Sequence, residues 1–277
     1  MQTVKDDYKT ASALAQKVRE NLSQCTLCPR KCKVNRLNGE IGFCGLDDKL
    51  YCFREMLHRF EETLINPSHQ IYLAGCNLKC EFCTVAEWNQ KPRLAARVNL
   101  EQIAPKIEQR KKEGAKSLNF LGGEPVLSLH GIFEIIARLN SAATIVLNSN
   151  MYFSEEIFTL TKGLVDFYLA DFKCGNNTCA KNLLQADNYF EIVTDNISAA
   201  ARQTDIIVRH LILPGHFDCC TKPVLDWLKK NNPEIKLSLR RDYVPPPKPD
   251  AAPENYLNNN DFKRTVSYAR NLHLNMI

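Results

Sequence analysis

From residue 70 onwards, the sequence alternates short apolar runs with longer segments of helical apolar spacing. The short runs have the length and the bounding turn residues of β-strands, and the longer segments have the period of helices packed on one face. Strands that alternate with helices of this size form a parallel sheet covered by helices. The pattern therefore predicts an α/β fold.

Six β/α units can be delimited. The predicted strands cover residues 70–75, 116–123, 144–150, 165–173, 205–215 and 235–245. The predicted helices cover residues 99–114, 129–140, 154–163, 188–203, 221–231 and 260–272, with Asn99 and Ser154 as candidate N-caps. Six units are two short of a full eight-fold barrel, so a partial (β/α)6 TIM-like barrel and an open doubly wound sheet both fit.

Polar and sulfur-bearing residues recur where the predicted strands end. In both candidate folds, ligands bind at the C-terminal ends of the strands. In chain order, these residues are Cys76, Gly122–Pro125, Asn148–Asn150, Asp171 and Lys173, with His210 inside strand five. We therefore expect the functional site at this edge of the sheet.

The composition narrows the choice of compartment and partner. No stretch approaches the roughly 18–20 apolar residues of a membrane helix, and the first 20 residues are predicted to form an amphipathic helix without a signal core. A cytoplasmic location and no membrane partner are expected. The formal net charge is only +5, and Arg110–Lys112 fits a solvated helix end, so nucleic acid is not the expected partner.

The 12 cysteines are the anomaly in the composition. A chain of this length does not need disulfides, and clustered cysteines in a reducing compartment more often bind metal. The clusters are Cys25, Cys28, Cys32, Cys44 and Cys52; then Cys76, Cys80 and Cys83; then the looser pairs Cys174 with Cys179 and Cys219 with Cys220.

The middle cluster has the spacing C-x3-C-x2-C, with Phe82 before its last cysteine. Three thiolates on a four-iron cubane leave one iron open, and an open coordination position is a reaction site. The motif resembles that of the radical SAM superfamily. This resemblance implies that the open iron binds the amino and carboxylate groups of S-adenosylmethionine (SAM), whose reductive cleavage gives a 5′-deoxyadenosyl radical. From the residues alone, a structural zinc site with a borrowed fourth cysteine is the alternative.

The segment LGGEP, Leu121–Pro125, follows predicted strand two. It resembles the GGE motif of the same superfamily, which implies that Gly122, Gly123, Glu124 and Pro125 bind the methionine end of SAM. A Gly-Gly turn alone would explain the glycines but not Glu124. A six-unit partial barrel is also the architecture that the resemblance implies.

A closer resemblance, over most of the chain, is to uncharacterised homologues of the pyruvate formate-lyase activating enzyme. It is carried by Cys25–Gly45, Leu57–Glu62, Leu121–Pro125, Leu147–Tyr152, Tyr168–Lys173 and Val208–Gly215, besides the three-cysteine motif. It implies contacts of Asp171 and Lys173 with SAM or substrate; Asn148, Asn150 and His210 match by position. Cys174 and the segment Thr84–Trp88 depart from the group, so the resemblance does not carry over the substrate.

The N-terminal cysteines form C-x2-C-P-x2-C-x11-C, ending at Cys44. Four thiolates can close a zinc site or hold a second iron–sulfur cluster, and Cys52 is an alternative to Cys44. We expect a metal-binding N-terminal segment, residues 1–69, before a radical SAM partial barrel, residues 70–277.

The late cysteines carry weaker expectations. Cys174 and Cys179 follow predicted strand four, where one of them could donate a hydrogen atom or hold another cluster, with Cys174 as the candidate catalytic residue; free loop thiols are the alternative for both. Cys219 and Cys220 are expected to be free, because adjacent cysteines seldom form a disulfide.

Together these features predict a radical SAM enzyme with a 4Fe–4S cluster that abstracts hydrogen from a protein, peptide or small-molecule substrate. A flavodoxin- or ferredoxin-type reductant is the expected electron donor. A non-catalytic iron–sulfur electron-transfer or metal-binding protein is the alternative, and it leaves Glu124, Asp171 and Lys173 unexplained.

Overall fold

The computed structural model describes residues 2–277, with side chains from Thr10 onwards. Packing divides the chain into two compact units. The first contains the residues up to Asn77 together with Glu87–Ser149 and Phe153–Tyr168; the second contains Leu78–Ala86, Asn150–Tyr152 and Leu169–Ile277. The domain boundary drawn from the sequence at residue 69 stays a prediction.

The described residues form eight strands and nine α-helices. The strands are β1 Tyr51–His58, β2 Ser68–Leu73, β3 Ala96–Arg97, β4 Ser117–Gly122, β5 Thr144–Ser149, β6 Phe167–Asp171, β7 Asp205–Leu211 and β8 Lys236–Arg240. The helices are α1 Gln2–Asn21, α2 Ala86–Gln90, α3 Leu100–Lys112, α4 Leu129–Ile136, α5 Ile157–Thr161, α6 Asn177–Leu184, α7 Tyr189–Gln203, α8 Lys222–Asn231 and α9 Asn259–Asn271.

The strand order confirms the predicted α/β class. The order is β3-β1-β2-β4-β5-β6-β7-β8, and the six predicted strands are β2 and β4 to β8. Strand β4 pairs in parallel with both β2 and β5, and β7 pairs in parallel with β8. Because these six strands follow one another without the reversal of a doubly wound sheet, the sequential (β/α)6 arrangement is the one adopted.

Two strands, β1 and β3, and two α-helices, α2 and α6, were not predicted. Strand β1 pairs antiparallel with both β2 and β3, and α6 follows β6. Strand β1 escapes detection because it carries charges at Arg54 and Glu55 and has no clean apolar alternation. Glu55 is held by ion pairs with Lys106 and Arg110 of α3, at 2.5 and 2.7 Å, which sequence-local patterns cannot show.

The predicted N-cap at Ser154 is wrong. Helix α5 begins at Ile157 after Glu156, which makes no side-chain cap bond. Ser154 instead bonds to the N-terminal segment, since its hydroxyl donates to Thr26 O at 2.6 Å and its N–H donates to Leu27 O at 3.1 Å. A tertiary contact has taken the hydroxyl that would otherwise cap the helix.

The predicted N-cap at Asn99 is confirmed. Its side-chain oxygen accepts the Glu101 N–H at 2.9 Å at the start of α3. At the other end, Gly114 has a φ of 100°, which a glycine adopts without strain.

No α-helix within residues 2–277 combines the length and the apolar composition needed to cross a membrane.

Replacement of Asn99 by Ala is expected to lower the free energy of unfolding by about 1 kcal/mol, because the Glu101 N–H loses its acceptor. Urea denaturation followed by circular dichroism measures the change. The variant Asn99→Ser keeps an oxygen acceptor and should lose only a small part of that energy; equal losses in the two variants would contradict the cap.

Candidate active site

Strand β2 leads into the three-cysteine loop through Gly75. This residue has a φ of 86°, and a Cβ there would lie 2.5 Å from Leu46 Cγ. Its N–H donates to Trp88 O at 3.3 Å. Glycine is required here both for the backbone conformation and for the close packing of Leu46.

The Gly-Gly segment after β4 lies directly against the end of β2. The Gly123 N–H donates to Leu73 O at 2.6 Å, and the Glu124 N–H donates to Gly75 O at 2.9 Å. A Cβ at Gly122 would lie 2.5 Å from Leu73 O, and one at Gly123 would lie 1.9 Å from Gly75 O. The two backbones approach so closely that no other residue type fits at either position.

Glu124 is fixed at the carboxyl end of β4. It is 1% exposed and caps the short 3₁₀ helix Pro125–Ser128, accepting the Val126 N–H at 3.2 Å through Oε1. The Ser149 hydroxyl, at the end of β5, donates to the same oxygen at 2.8 Å. A buried carboxylate held by two donors is oriented in advance for a cationic or hydrogen-bond-donating ligand.

Trp88 and Asn89, which follow the third cysteine in the chain, pack within the first unit. The Trp88 ring stacks on Phe53 of β1, with centroids 5.4 Å apart and an interplanar angle of 2°. Asn89 Oδ1 would lie 2.8 Å from a Cβ at Gly123. Trp88 and Asn89 therefore help to hold the turn formed by Gly75 and Gly123.

Cys76, Cys80 and Cys83 form no disulfide; Cys76 is buried and the other two are half-buried. The Cys83 N–H donates to Cys80 O at 3.1 Å, which makes a tight turn. Three cysteines of one short loop, none of them in a disulfide, have side chains of the type that ligates iron–sulfur clusters, and their role as cluster ligands stays a prediction.

The loop from residue 78 to 86 is anchored within the second unit. The N–H groups of Lys79 and Glu81 donate to Leu184 O and Leu183 O, each at 3.0 Å, at the end of α6. Phe82 is 8% exposed, and its ring centroid lies 6.0 Å from that of Tyr243. The expected contact of Phe82 with a cofactor stays a prediction.

Asp171 ends β6, as predicted, and forms an ion pair with Lys173, with Oδ2 and Nζ 2.8 Å apart. The Lys173 N–H donates to the Tyr189 hydroxyl at 2.9 Å. The pair offers both charges at the strand end, and its contact with SAM or substrate stays a prediction.

Asn148 and Asn150 lie at the predicted strand end. Asn148 is half-buried in β5. Asn150 Oδ1 accepts the Tyr152 N–H at 2.9 Å across Met151, whose φ is 57°. Asn150 therefore stabilises the turn after β5, and ligand contacts of both asparagines stay predictions.

His210 is fully buried in β7. Its Nδ1 lies 2.7 Å from Phe172 O, and its Nε2 lies 3.0 Å from the Thr221 hydroxyl. A neutral imidazole that donates from Nδ1 and accepts at Nε2 satisfies both contacts. The geometry gives His210 a structural role, and its contact with a cofactor stays a prediction.

The N-terminal cysteines surround one small cavity. The cavity is lined by Cys25, Cys28, Cys32 and Cys44, with Arg30, Val34, Arg36, Gly42, Phe43, Asn77 and Leu127. The loop folds back on itself, since the Cys25 N–H donates to Val34 O and the Lys33 N–H donates to Cys25 O, both at 3.1 Å. Cys52 lies in β1 with its thiol 3.0 Å from Arg54 O, so Cys44 is the fourth thiol of this cavity.

A buried cation stands beside these thiols. Arg36 is 0% exposed and donates to Asp47 O at 2.9 and 2.7 Å and to Leu127 O at 2.9 Å. Its Nη1 also lies 3.9 Å from Cys25 Sγ. Burial raises the pKa of the Cys44 thiol, and the Arg36 guanidinium opposes that shift. Arg36 thus supplies a positive charge beside the sulfur atoms, although burial keeps the pKa of the Cys44 thiol above its ordinary value.

The structure also gathers residues that the sequence left apart. Cys179, Cys219 and Cys220 lie with His216 in one group. The pattern H-x2-C-C could have signalled His216, Cys219 and Cys220, because residues three and four apart lie on one face of a helix, but it does not include Cys179. Cys174, the candidate hydrogen-atom donor, is fully buried, and its catalytic role stays a prediction.

Comparison with known proteins gives one family. The family model described as the radical SAM superfamily matches residues 71–228. An uncharacterised protein of Methanocaldococcus jannaschii is 35% identical over 261 residues, which cover 91% of this chain and 76% of that protein.

Solved structures show a similar fold. SuiB of Streptococcus suis with bound SAM has a TM-score of 0.55 at 14% identity, covering 73% of this chain and 47% of SuiB. The protein anSMEcpe with bound SAM has a TM-score of 0.55 at 14% identity, covering 72% of this chain and 57% of that protein. The chain thus spans about half the length of SuiB, and at these identities the likeness concerns the fold alone.

The burial of His210 predicts a pH dependence of stability. Burial lowers the pKa of His210 to about 4, against about 6.5 in an unfolded chain. As the pH falls from 6.5 to 4, the unfolded chain gains a proton that the folded chain excludes, so stability is lost over that window, by up to about 3 kcal/mol.

Urea denaturation at several pH values tests this expectation. The variant His210→Gln should lose stability at neutral pH and show a shallower fall between pH 6.5 and 4. The exposed His273→Gln serves as the matched control. An unchanged slope in His210→Gln would show that His210 does not supply this dependence.

Proposed function

Because the chain belongs to the radical SAM superfamily, we propose that it is an activating-enzyme-like radical SAM enzyme that abstracts hydrogen from a protein or peptide. Its cofactors are a 4Fe–4S cluster and SAM. The observation that carries the proposal is Glu124, a buried carboxylate fixed at the end of β4 beside two glycines that leave no room for side chains.

The donor set fits the cofactors. Cys76, Cys80 and Cys83 would hold three irons of the cluster and leave the fourth to SAM. When bound, the cluster and SAM supply reductive cleavage of the sulfonium and a hydrogen-abstracting radical.

The residues of the chain bind and orient. Glu124 would accept hydrogen bonds from the cationic amino group of SAM, because its carboxylate is already held by Val126 and Ser149. Gly122 and Gly123 carry no side chains and so leave the space next to Glu124 unobstructed. Asp171 and Lys173 supply an ion pair that can contact SAM or substrate.

A protein or peptide is preferred over a small metabolite as substrate. The closer resemblance is to homologues of an enzyme that activates another protein. SuiB has been solved with its precursor peptide SuiA, and anSMEcpe with the Cp18Cys peptide. We further propose a cytoplasmic location and a flavodoxin- or ferredoxin-type reductant, since the cluster must be reduced. A non-catalytic electron-transfer protein would have no use for a buried, oriented Glu124.

Replacement of Glu124 by Gln is expected to weaken SAM binding by at least about tenfold, because hydrogen bonds to charged groups contribute about 1.5–3 kcal/mol. The amide oxygen still accepts from Ser149, so the fold should persist. Equilibrium dialysis of the anaerobically reconstituted protein measures affinity, and 5′-deoxyadenosine formed with dithionite measures catalysis.

The exposed Glu87→Gln makes the same charge change nearby and should leave SAM affinity unchanged. Unaltered SAM affinity in Glu124→Gln would contradict the role of Glu124. If the unmodified protein with its cluster intact formed no 5′-deoxyadenosine, the proposal that it is an enzyme would be refuted.

We also propose that Cys25, Cys28, Cys32 and Cys44 bind a second metal centre, an iron–sulfur cluster or zinc. Four thiols lining one cavity supply the donors, and buried Arg36 offsets the negative charge of metal-bound thiolates.

This second centre predicts that a Cys76/Cys80/Cys83→Ala variant retains metal. Further replacement of Cys28 and Cys44 by Ala should remove one centre, measured as iron, sulfide and zinc by elemental analysis. Replacement of Cys52 by Ala is the matched control. Equal metal content with and without Cys28 and Cys44 would refute the site.

A further inference from the structure

Four metal-ligating side chains of the second unit converge on one point. One ligand atom from each of Cys179, His216, Cys219 and Cys220 lies within 4.8 Å of the others. We propose that they bind a single zinc ion, at a site separate from both the SAM cluster and the N-terminal cysteines.

The spacing fits one ion. His216 Nδ1 lies 3.3, 3.8 and 3.9 Å from the sulfur atoms of Cys219, Cys179 and Cys220. With Zn–S near 2.3 Å and Zn–N near 2.0–2.1 Å, a tetrahedron places nitrogen and sulfur ligands about 3.6 Å apart. In an iron–sulfur cluster, the thiolates bind different irons and stand further apart. The group therefore matches a mononuclear site.

A rare backbone element brings three of the ligands together. Phe217–Thr221 form a π-helix, and the N–H groups of Cys220 and Thr221 both donate to His216 O, at 2.9 and 3.1 Å. This turn places positions 216, 219 and 220 on one face. Single π-helical turns are frequent at functional sites, and a ligand set accounts for this one.

The fourth ligand comes from α6 and is held by Asn176. Asn176 Oδ1 accepts the Cys179 N–H at 2.7 Å, and its Nδ2 donates to Cys179 Sγ at 3.3 Å and to Cys219 O at 2.5 Å. The side-chain amide of Asn176 thus joins α6 to the π-helix, and it also donates to the sulfur of a proposed ligand. Such supporting hydrogen bonds are a regular feature of metal sites.

The neighbouring glycine shows how closely the two arms pack. A Cβ at Gly175 would lie 2.2 Å from Cys220 O. Glycine therefore lets the segment before α6 lie against the π-helix, which keeps Cys179 within reach of the other ligands.

The donor chemistry selects the metal and disfavours a redox thiol pair. All four side chains can ligate together, since the three cysteines are free thiols. Three thiolates and one imidazole in a tetrahedron are typical of structural zinc. A disulfide between Cys179 and Cys219 would not explain why His216 and Cys220 lie in the same group.

Zinc content tests the proposal. A Cys179→Ser/Cys219→Ser variant, purified after growth with added zinc, should contain one zinc per chain less than the unmodified protein. Replacement of Cys52 by Ser, at a half-buried cysteine in β1, is the matched control. Equal zinc in the double variant and the unmodified protein would overturn the site, and so would iron in place of zinc.

Two further variants keep the test decisive if the double variant does not fold. His216→Cys should retain zinc, with X-ray absorption showing one nitrogen ligand replaced by sulfur; an unchanged ligand set would overturn the assignment. Asn176→Ala should weaken zinc binding by about 10–100-fold in competition with a chelator, and unchanged affinity would remove Asn176 from the site. All of these measurements can be made in a Cys76/Cys80/Cys83→Ala background, so they do not depend on SAM chemistry.

Discussion

The candidate site depends on the close approach of two backbone segments, Leu73–Gly75 and Gly122–Glu124. Two hydrogen bonds join them, and a Cβ at Gly123 would lie within 1.9 Å of a carbonyl oxygen. This contact fixes the direction in which the chain leaves β2 towards Cys76. It also fixes the position of the Glu124 backbone. Trp88 and Asn89, which follow the cysteine loop in the chain, support the same turn. Gly75 and the Gly-Gly-Glu segment, which lie far apart in the sequence, are therefore one packed structure in the first unit.

In the first unit, the candidate active site and the N-terminal cysteine cavity each contain one buried charged side chain. Glu124 and Arg36 are each at most 1% exposed, and burying an ion is costly unless it is hydrogen-bonded and balanced. Glu124 accepts hydrogen bonds from a hydroxyl and a backbone N–H, which orient its carboxylate. Arg36 is held by carbonyl oxygens and stands beside cysteine sulfur. A cationic ligand at the first site and metal-bound thiolates at the second would balance these charges.

In the second unit, one network links β7 with the proposed zinc site. His210 bonds to Phe172 O and to the hydroxyl of Thr221, the last residue of the π-helix that carries Cys219 and Cys220. Asn176 joins the same π-helix to α6, whose last residues accept hydrogen bonds from the cysteine loop at Lys79 and Glu81. Zinc would stabilise α6 and thereby the backbone of the loop that carries Cys80 and Cys83. A structural metal at this position would therefore help to hold the cysteine loop in place.

The sequence by itself determined the α/β class, the six parallel strands, the Asn99 cap and the three-thiol motif, because periodicity, capping and short spacing are local properties. It also pointed to Gly122–Glu124, although only packing explains why both glycines are needed. The tertiary structure decided what depends on distant partners: β1 is held through Glu55 by α3, and Ser154 bonds to Thr26 and not to its own helix. The same holds for Cys179 of α6 and for His216, Cys219 and Cys220 of the π-helical turn, whose ligand atoms the fold brings within 4.8 Å of one another. No spacing rule joins residues 37 positions apart, and only the fold could assemble them.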